Sequence, residues 1–185
     1  MDWDGLFADL EAQAESLAVQ ERAAEIEERT RGELASISLA ARLGAHHGNR
    51  IRCAVAGGQS LQGRLLRSGQ GWLLLEEGDG REALIFTAHL LFVSELGREV
   101  RPAGVATVES RLRVNHVLRG LARDRSTVRI LLVDAATLHG TIDRVGEDFL
   151  DLALHPAGEL RRRDDVRGVS AVPLNAMTAV RRVVS

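Results

Sequence analysis

Near the start of the chain, apolar side chains recur every three or four residues, which is the spacing of one face of an α-helix. No proline occurs between residues 4 and 43, and good helix formers such as Ala, Glu, Leu, Gln and Arg predominate there. The apolar stripe thins between residues 20 and 33 and returns from Leu34 to Leu43. We therefore predict a helical arm over 1–33 and a second helical segment over 34–43. The large apolar side chains of the arm are Trp3, Leu6, Phe7 and Leu10.

Beyond residue 48 the pattern changes to short alternating runs, and these runs occur twice. A shift of 77 residues lays Ile51–Val55 on Val128–Leu132, and the next alternating run fits at the same shift. The match resumes at a shift of 87, where residues 85–93 meet residues 172–180. About ten extra residues in the second copy fall in a polar stretch, which favours a loop. The repeat predicts two structurally similar units in one chain.

Each copy contains five short runs that are typical of β-strands. Ile51, Cys53 and Val55 alternate with their neighbours, and a period of two is the spacing of one face of a strand. A glycine interrupts the second run of each copy, at Gly63 and Gly140, and a mid-strand glycine marks a sharp bend or a close backbone approach. Short strands with sharp bends favour a small closed barrel.

The second copy carries a motif that is shared with a known family. Val128–Leu132 leads to Leu138-x-Gly140-x-Ile142, and the first copy repeats this motif from Leu61 onward. The pattern resembles the Sm/LSm/Hfq family. The resemblance implies a helix followed by a strongly bent five-stranded antiparallel barrel, and subunits that pair through their fourth and fifth strands.

The expected fold is therefore mainly β with helices. It comprises two Sm-like five-stranded antiparallel barrels in tandem, each preceded by a helix, plus the acidic N-terminal helical arm. The helix before the second barrel is predicted over 108–124, where Val114, Val117, Leu118 and Leu121 form an apolar stripe. The expected units are the arm at 1–33, the first helix and barrel at 34–96, a linker at 97–107 and the second helix and barrel at 108–185.

Charge separates the arm from the rest of the chain. The formal net charge is −2, yet residues 1–48 carry ten acids and four arginines, and the remaining residues carry sixteen acids and twenty arginines. The two regions thus have charges of −6 and +4, which fits an arm that folds on the body or binds a different partner. All 24 cationic residues are arginine, a bias that we attribute to a GC-rich bacterial genome rather than to phosphate binding.

Two groups of residues are candidates for binding. The apolar residues of the arm have the pattern of a helix that docks into a groove of a protein partner, although they could equally pack on the protein's own barrels. The arginine-rich helix could contact nucleic acid, the acidic arm or another protein. Where the resembled family places its RNA contacts, His89 and Asn175 are the polar residues that remain in this chain. The candidate nucleic-acid contacts are His89, Asn175, Arg111, Arg113, Arg119 and Arg123.

Other chemistry finds little support in the sequence. The single cysteine, Cys53, falls on an inward strand position and is expected to act as a small apolar residue. The histidines lack the spacing of a metal site, no glycine-rich phosphate loop precedes a helix, and no nucleophile–base pattern occurs. No secretory signal or membrane span is recognisable, so we expect a cytoplasmic protein without cofactor, metal or catalytic activity.

The sequence leads to one principal hypothesis and two alternatives. The principal one is a non-catalytic tandem Sm-like protein that serves as a protein-interaction or assembly module, associates with itself through barrel edges and docks a protein partner with its arm. The first alternative is an RNA-binding post-transcriptional regulator of the Hfq type. The second alternative is an enzyme subunit or a barrel with a small-ligand pocket.

Overall fold

The computed structural model describes residues 15, 17, 20–22, 24–25, 27–29, 31–32, 34–100, 111–155 and 168–183. The chain divides into two compact units, Met1–Ser38 and Leu39–Ser185. In the first unit, all described residues between 15 and 35 are helical, and Leu17 and Leu34 are exposed. The predicted helix over 34–43 is wrong in its bounds, because residues 36–38 are not helical and a new helix begins at Leu39.

The second unit contains two short α-helices and ten strands. The helices are α1 (Leu39–Ala45) and α2 (Val114–Arg123). The strands of the first copy are β1 (Arg50–Val55), β2 (Gln59–Gly69), β3 (Trp72–Gly78), β4 (Arg81–Phe86) and β5 (Leu90–Ser94). The strands of the second copy are β6 (Thr127–Leu132), β7 (Thr137–Val145), β8 (Phe149–Leu154), β9 (Gly168–Pro173) and β10 (Met177–Arg182).

All ten strands belong to one antiparallel sheet. Their order is β5-β1-β2-β3-β4-β10-β6-β7-β8-β9, so the last strand of the second copy lies between β4 and β6. The expectation of two separate five-stranded barrels, each preceded by a helix, is therefore wrong. The physical reason is that β4 forms its second set of backbone hydrogen bonds with β10, which joins the copies into a continuous sheet.

The two copies nevertheless use the same strand registers. In the first copy β5 pairs with β1, with Val93 opposite Cys53 and a register shift near Val55. In the second copy β10 pairs with β6, with Val180 opposite Ile130 and a register shift at the corresponding place. The sequence shifts of 77 and 87 thus correspond to equivalent positions in space.

The apolar side chains form two clusters, and each cluster takes residues from both copies. Ile85 of β4 packs in the first cluster together with Leu131 and Ala179 of the second copy. Its neighbour Leu84 points to the other face of the strand and packs in the second cluster. The central strands are consequently buried on both faces, which explains why the two copies do not form independent cores.

The mid-strand glycines permit close backbone contacts, as the sequence predicts. A Cβ atom at Gly63 would collide with the backbone carbonyl of Glu76, and one at Gly140 would collide with that of Ala153. Glycine is therefore required where β2 and β7 closely approach the backbones of β3 and β8.

Helix α2 begins later than the sequence suggests. The predicted bounds were 108–124, but the helix starts at Val114, and residues 101–110 lie outside the described part of the chain. The predicted apolar stripe does face the protein, since Leu118 is fully buried and its neighbours on the stripe pack against the second cluster.

Candidate functional site

The two copies are joined by a strand pairing that we call the internal junction, β4 against β10. Ile85 lies opposite Ala179, and Leu84 lies opposite Val180. All four side chains are at most 2% exposed. The junction therefore combines backbone hydrogen bonds with burial on both faces of the sheet.

The outer strands β5 and β9 form the free edges of the sheet. Among the described residues, β5 pairs only with β1, and β9 pairs only with β8. Leu91 and Phe92 of β5 are 66% and 57% exposed, and Val169 of β9 is 60% exposed. Edge strands offer unpaired amide and carbonyl groups, and apolar side chains on them favour pairing with another chain.

The segment that follows β5 is held by α1. Arg42 Nη2 donates hydrogen bonds to the carbonyl oxygens of Leu96 at 3.3 Å and Gly97 at 2.7 Å. The buried ring of His46 lies between the Arg42 carbonyl oxygen, at 2.7 Å, and Glu99 Oε2, at 2.9 Å. A hydrogen bond from its own backbone amide and then the bond to His46 lower the pKa of Glu99. These contacts fix residues 96–99, which follow β5 in the chain.

A cavity of about 360 Å³ lies beside the internal junction. Arg181 donates from Nε and Nη2 to the two carboxylate oxygens of Glu77, both at 2.7 Å. Arg129 and Arg182 form no ion pair with a described carboxylate. The polar residues that line this junction cavity are Gln62, Glu77, Arg81, Arg129, Arg181 and Arg182.

The structure brings together three of the four arginines that the sequence singles out near α2. Arg111, Arg113 and Arg119 line a second cavity of about 470 Å³, together with His116 and Glu147. We call this the α2 surface. The fourth predicted contact, Arg123, is exposed at the end of the helix and does not line this cavity.

Three hydrogen bonds position the α2 surface against the strands. Trp72 Nε1 donates to the Leu112 carbonyl oxygen at 2.7 Å, which fixes the residues before α2 on the first copy. Asn115 Nδ2 donates to the carbonyl oxygens of Gly146, at 2.9 Å, and Glu147, at 2.8 Å. The backbone that carries these arginines is therefore fixed against strands of both copies.

His89 and Asn175 occupy corresponding turns of the two copies. His89 ends the 3-10 helix before β5, and its Nε2 is buried without a hydrogen-bond partner among the described residues. Asn175 lies in the 3-10 helix before β10 and is exposed. No described hydrogen bond joins them, and neither lines the cavity of the α2 surface.

The predicted docking residues Trp3, Leu6, Phe7 and Leu10 lie outside the described residues.

Among the nucleophilic and metal-binding side chains, Cys53 is fully buried, and burial raises the pKa of its thiol to about 11. The buried His155 is hydrogen-bonded to Thr141, with Nε2 3.0 Å from Oγ1. In the described part of the chain, no group of three or more His, Cys, Asp and Glu side chains could hold a metal ion.

Comparison of the chain with models of protein families and with curated protein sequences finds no match. Within the ranges that the structure describes, no helix combines the length and the apolar character needed to cross a membrane.

The junction cavity was missed in the sequence because its arginines come from separate strands. Glu77 and its partner Arg181, for example, are 104 residues apart. One signal was present in the repeat. The second copy has Arg181 and Arg182 where the first copy, at a shift of 87, has Ser94 and Glu95.

Proposed function

We propose that this protein is a non-catalytic assembly module, in which β5 of one copy of the chain pairs with β9 of the next copy. The observation that carries the proposal is the internal junction. At this junction the fourth strand of the first copy, β4, pairs with the fifth strand of the second copy, β10. The other fourth strand, β9, and the other fifth strand, β5, each have one side without a partner strand in the described structure.

The internal junction also provides the register of the proposed pairing. A shift of 87 residues converts β4 into β9 and β5 into β10, so the pair Ile85–Ala179 becomes Val172 opposite Phe92. The pair Leu84–Val180 likewise becomes Ala171 opposite Val93. In this register the exposed Phe92 lies beside Val172, whose side chain packs in the second apolar cluster. Covering one such aromatic side chain stabilises an interface by roughly 1.5–3 kcal/mol.

The ends of β9 are compatible with this arrangement. Pro173 cannot donate a backbone hydrogen bond, and proline within a sheet is found on edge strands. It lies after the positions that the register uses, so it limits the length of the pairing without preventing it. Because β5 and β9 are different surfaces, the contact is heterologous and produces a ring if it closes and a filament if it does not.

Light scattering coupled to size-exclusion chromatography tests the proposal. We expect a mass that rises above the monomer with protein concentration, and we expect Phe92→Lys to lower it toward 20.1 kDa. Val133→Lys is the matched control, because Val133 is also an exposed apolar residue, 39% exposed, but lies in the turn between β6 and β7 and not on β5 or β9. A monomer at all concentrations, or equal effects of the two variants, would exclude assembly through β5.

The proposed role of the acidic arm is to dock a protein partner, in the cytoplasm, through Trp3, Leu6, Phe7 and Leu10. The support is the amphipathic sequence of the arm and its charge, opposite in sign to that of the rest of the chain. A double variant, Trp3→Ala with Phe7→Ala, should abolish co-purification of a partner and leave assembly through β5 unchanged. Membership in the Sm/LSm/Hfq family stays a prediction.

A second candidate function is RNA binding, which the cluster of three arginines on the α2 surface favours. Protein purified at low salt would then carry nucleic acid, seen as a raised ratio of absorbance at 260 and 280 nm, and would lose it as salt increases. The triple variant Arg111→Gln, Arg113→Gln and Arg119→Gln should remove this material. Protein free of nucleic acid at low salt would count against this candidate.

A further inference from the structure

We propose that the junction cavity is a binding site for a small molecule that bears phosphate groups. The inference is independent of the proposed assembly, because the cavity lies at the internal junction of a single chain. It rests on the charge of the lining, on the pairing of like charges across two strands and on a comparison with the free edges.

The lining of the junction cavity is strongly cationic. The lining contains four arginines and one carboxylate, that of Glu77, which gives a formal charge of +3, and Arg81 also pairs at 3.4 Å with Asp79, which is not part of the lining. Glu77 is already engaged by Arg181 through two hydrogen bonds, so it leaves the charges of Arg129 and Arg182 uncompensated. Arginine binds phosphate oxygens through two parallel N–H donors, which makes such a lining suited to phosphate.

Arg129 and Arg181 form a like-charged cross-strand pair in which Glu77 compensates only Arg181. They lie directly opposite each other on β6 and β10, and like charges at directly opposed positions destabilise a sheet. The field of Arg129 also reaches its other cross-strand neighbour, His139. Burial first, and then the positive charges of Arg129 and His155, lower the pKa of His139. An anion between the arginines would remove this repulsion.

Strand pairing by itself does not require these arginines. At the corresponding positions of the free edges, Ser94 replaces Arg181, Glu95 replaces Arg182 and Gly168 replaces Arg81. The counterpart of Arg129 is also an arginine, Arg52, but the negative formal charge of Glu95 offsets its positive charge in the sum. The formal charge is thus +3 at the internal junction and 0 at the corresponding positions of the edges, although the strand registers coincide.

The size of the cavity indicates a small molecule rather than a single inorganic ion. Its volume of about 360 Å³ falls in the range of roughly 300–1,000 Å³ that is usual for small-molecule pockets. Val183 and the half-buried Gln62 add an apolar contact and an amide to the arginines. This combination suits a ligand with a phosphate group and an uncharged portion.

Isothermal titration calorimetry of the full chain with inorganic pyrophosphate, at low ionic strength, tests the site. We expect one pyrophosphate per chain, and we expect Arg129→Gln or Arg182→Gln to weaken binding at least about tenfold. Arg123→Gln removes an exposed arginine that lines neither cavity and should change the affinity by less than about twofold. Both arginines of the test are exposed, and the thermal unfolding of each variant verifies that it is folded.

The proposal would be overturned by the absence of pyrophosphate binding, by an equal loss in Arg123→Gln, or by a loss that follows the arginines of the α2 surface instead. Citrate separates phosphate from carboxylate recognition, because equal binding of citrate would contradict a phosphate site. Binding of a single-stranded RNA without binding of pyrophosphate would assign the cavity to a macromolecule and would also overturn it. Light scattering of Arg129→Gln should show the wild-type mass, which distinguishes failure of this site from failure of assembly.

Discussion

The internal junction and the free edges use the same strand geometry with different side chains. At the internal junction, the opposed residues Ile85 and Ala179 are buried, and a cavity lined by arginines lies beside them. The corresponding residues of the free edges are Val172 on β9 and Phe92 on β5. Among the described residues, no strand pairs with the outer side of β5 or β9, and Phe92 is exposed. This difference indicates that strand pairing requires apolar residues in register and does not require the arginines, which we assign to ligand binding.

The largest effect is expected from cross-linking the two free edges. A mixture of the variants Val93→Cys and Ala171→Cys should form a covalent dimer under mild oxidation, because the proposed register places these residues opposite each other. Because Val93 lies opposite the native Cys53, all variants of this experiment also carry Cys53→Ala, which removes an intramolecular disulfide as a competing product. Non-reducing electrophoresis measures the yield.

The matched control for this register is a mixture of Val93→Cys with Val169→Cys, two positions away on the same strand. It should give little dimer, as should each single variant alone. Equal yields from both mixtures would show contact without the proposed register.

The next largest effect is expected when a buried side chain of the internal junction is truncated, and an exposed side chain of the free edge serves as the comparison. Ile85→Ala should lower the free energy of unfolding by about 2–5 kcal/mol, because it leaves a cavity in a fully buried strand. Leu91→Ala removes a similar number of atoms from an exposed position on β5 and should change it by about 0.5 kcal/mol or less. Denaturant titration of dilute protein gives both values, and similar losses would mean that the free edge is as well packed as the junction.

A smaller effect is expected at the ion pair of the junction cavity. Glu77→Gln removes the negative charge beside Arg181 and replaces one of its two acceptor oxygens by an NH2 group, which leaves Arg181 opposite Arg129 without a compensating charge, at an expected cost of about 1–3 kcal/mol. The neighbouring Glu76→Gln breaks the more exposed pair with Arg64, which should cost about 1 kcal/mol or less. Denaturant titrations of the two variants measure the difference. A greater loss in Glu76→Gln would contradict the importance that we assign to the Glu77 pair.

The smallest effect is expected at the carboxylate of Glu99, which follows β5 in the chain. The pKa of Glu99 is lowered from its ordinary value of 4.5, first by the hydrogen bond from its own backbone amide and then by the bond to His46, so these bonds contribute stability above that value. This contribution is lost as the pH falls through the lowered pKa. Glu99→Gln should therefore unfold at a lower temperature than the wild type at about pH 6, and the difference should shrink as the pH falls below 4.5. A difference that persists in acid would assign the effect to something other than the charge of Glu99.

Much of the local structure could be predicted from the sequence. The alternation at Ile51, Cys53 and Val55 identified a strand, and the glycines at Gly63 and Gly140 identified close backbone approaches. The helix bounds were less accurate, since α2 begins at Val114 rather than at residue 108. Apolar periodicity defines the buried face of a helix well, but the start of this helix depends on tertiary contacts such as the hydrogen bonds from Asn115 to the carbonyl oxygens of Gly146 and Glu147.

The candidate site was only partly predictable. The sequence predicts that the arginines at 111, 113, 119 and 123 share a basic surface, because they lie close together in the chain. The first three line one cavity, and Arg123 does not. His89 and Asn175 were grouped through a family resemblance, and no described hydrogen bond unites them. The junction cavity depends on residues up to 104 positions apart, which no local pattern can bring together.

The sequence by itself determined the ten strand segments, their repetition and the positions where the backbone must bend, because these depend on side-chain periodicity and on glycine. Only the tertiary structure decided that the copies share one sheet instead of forming two barrels. That choice depends on which strand satisfies the outer hydrogen-bonding groups of β4, and this partner, β10, lies about ninety residues further along the chain. The same long-range pairing placed four arginines around one cavity and left β5 and β9 as free edges.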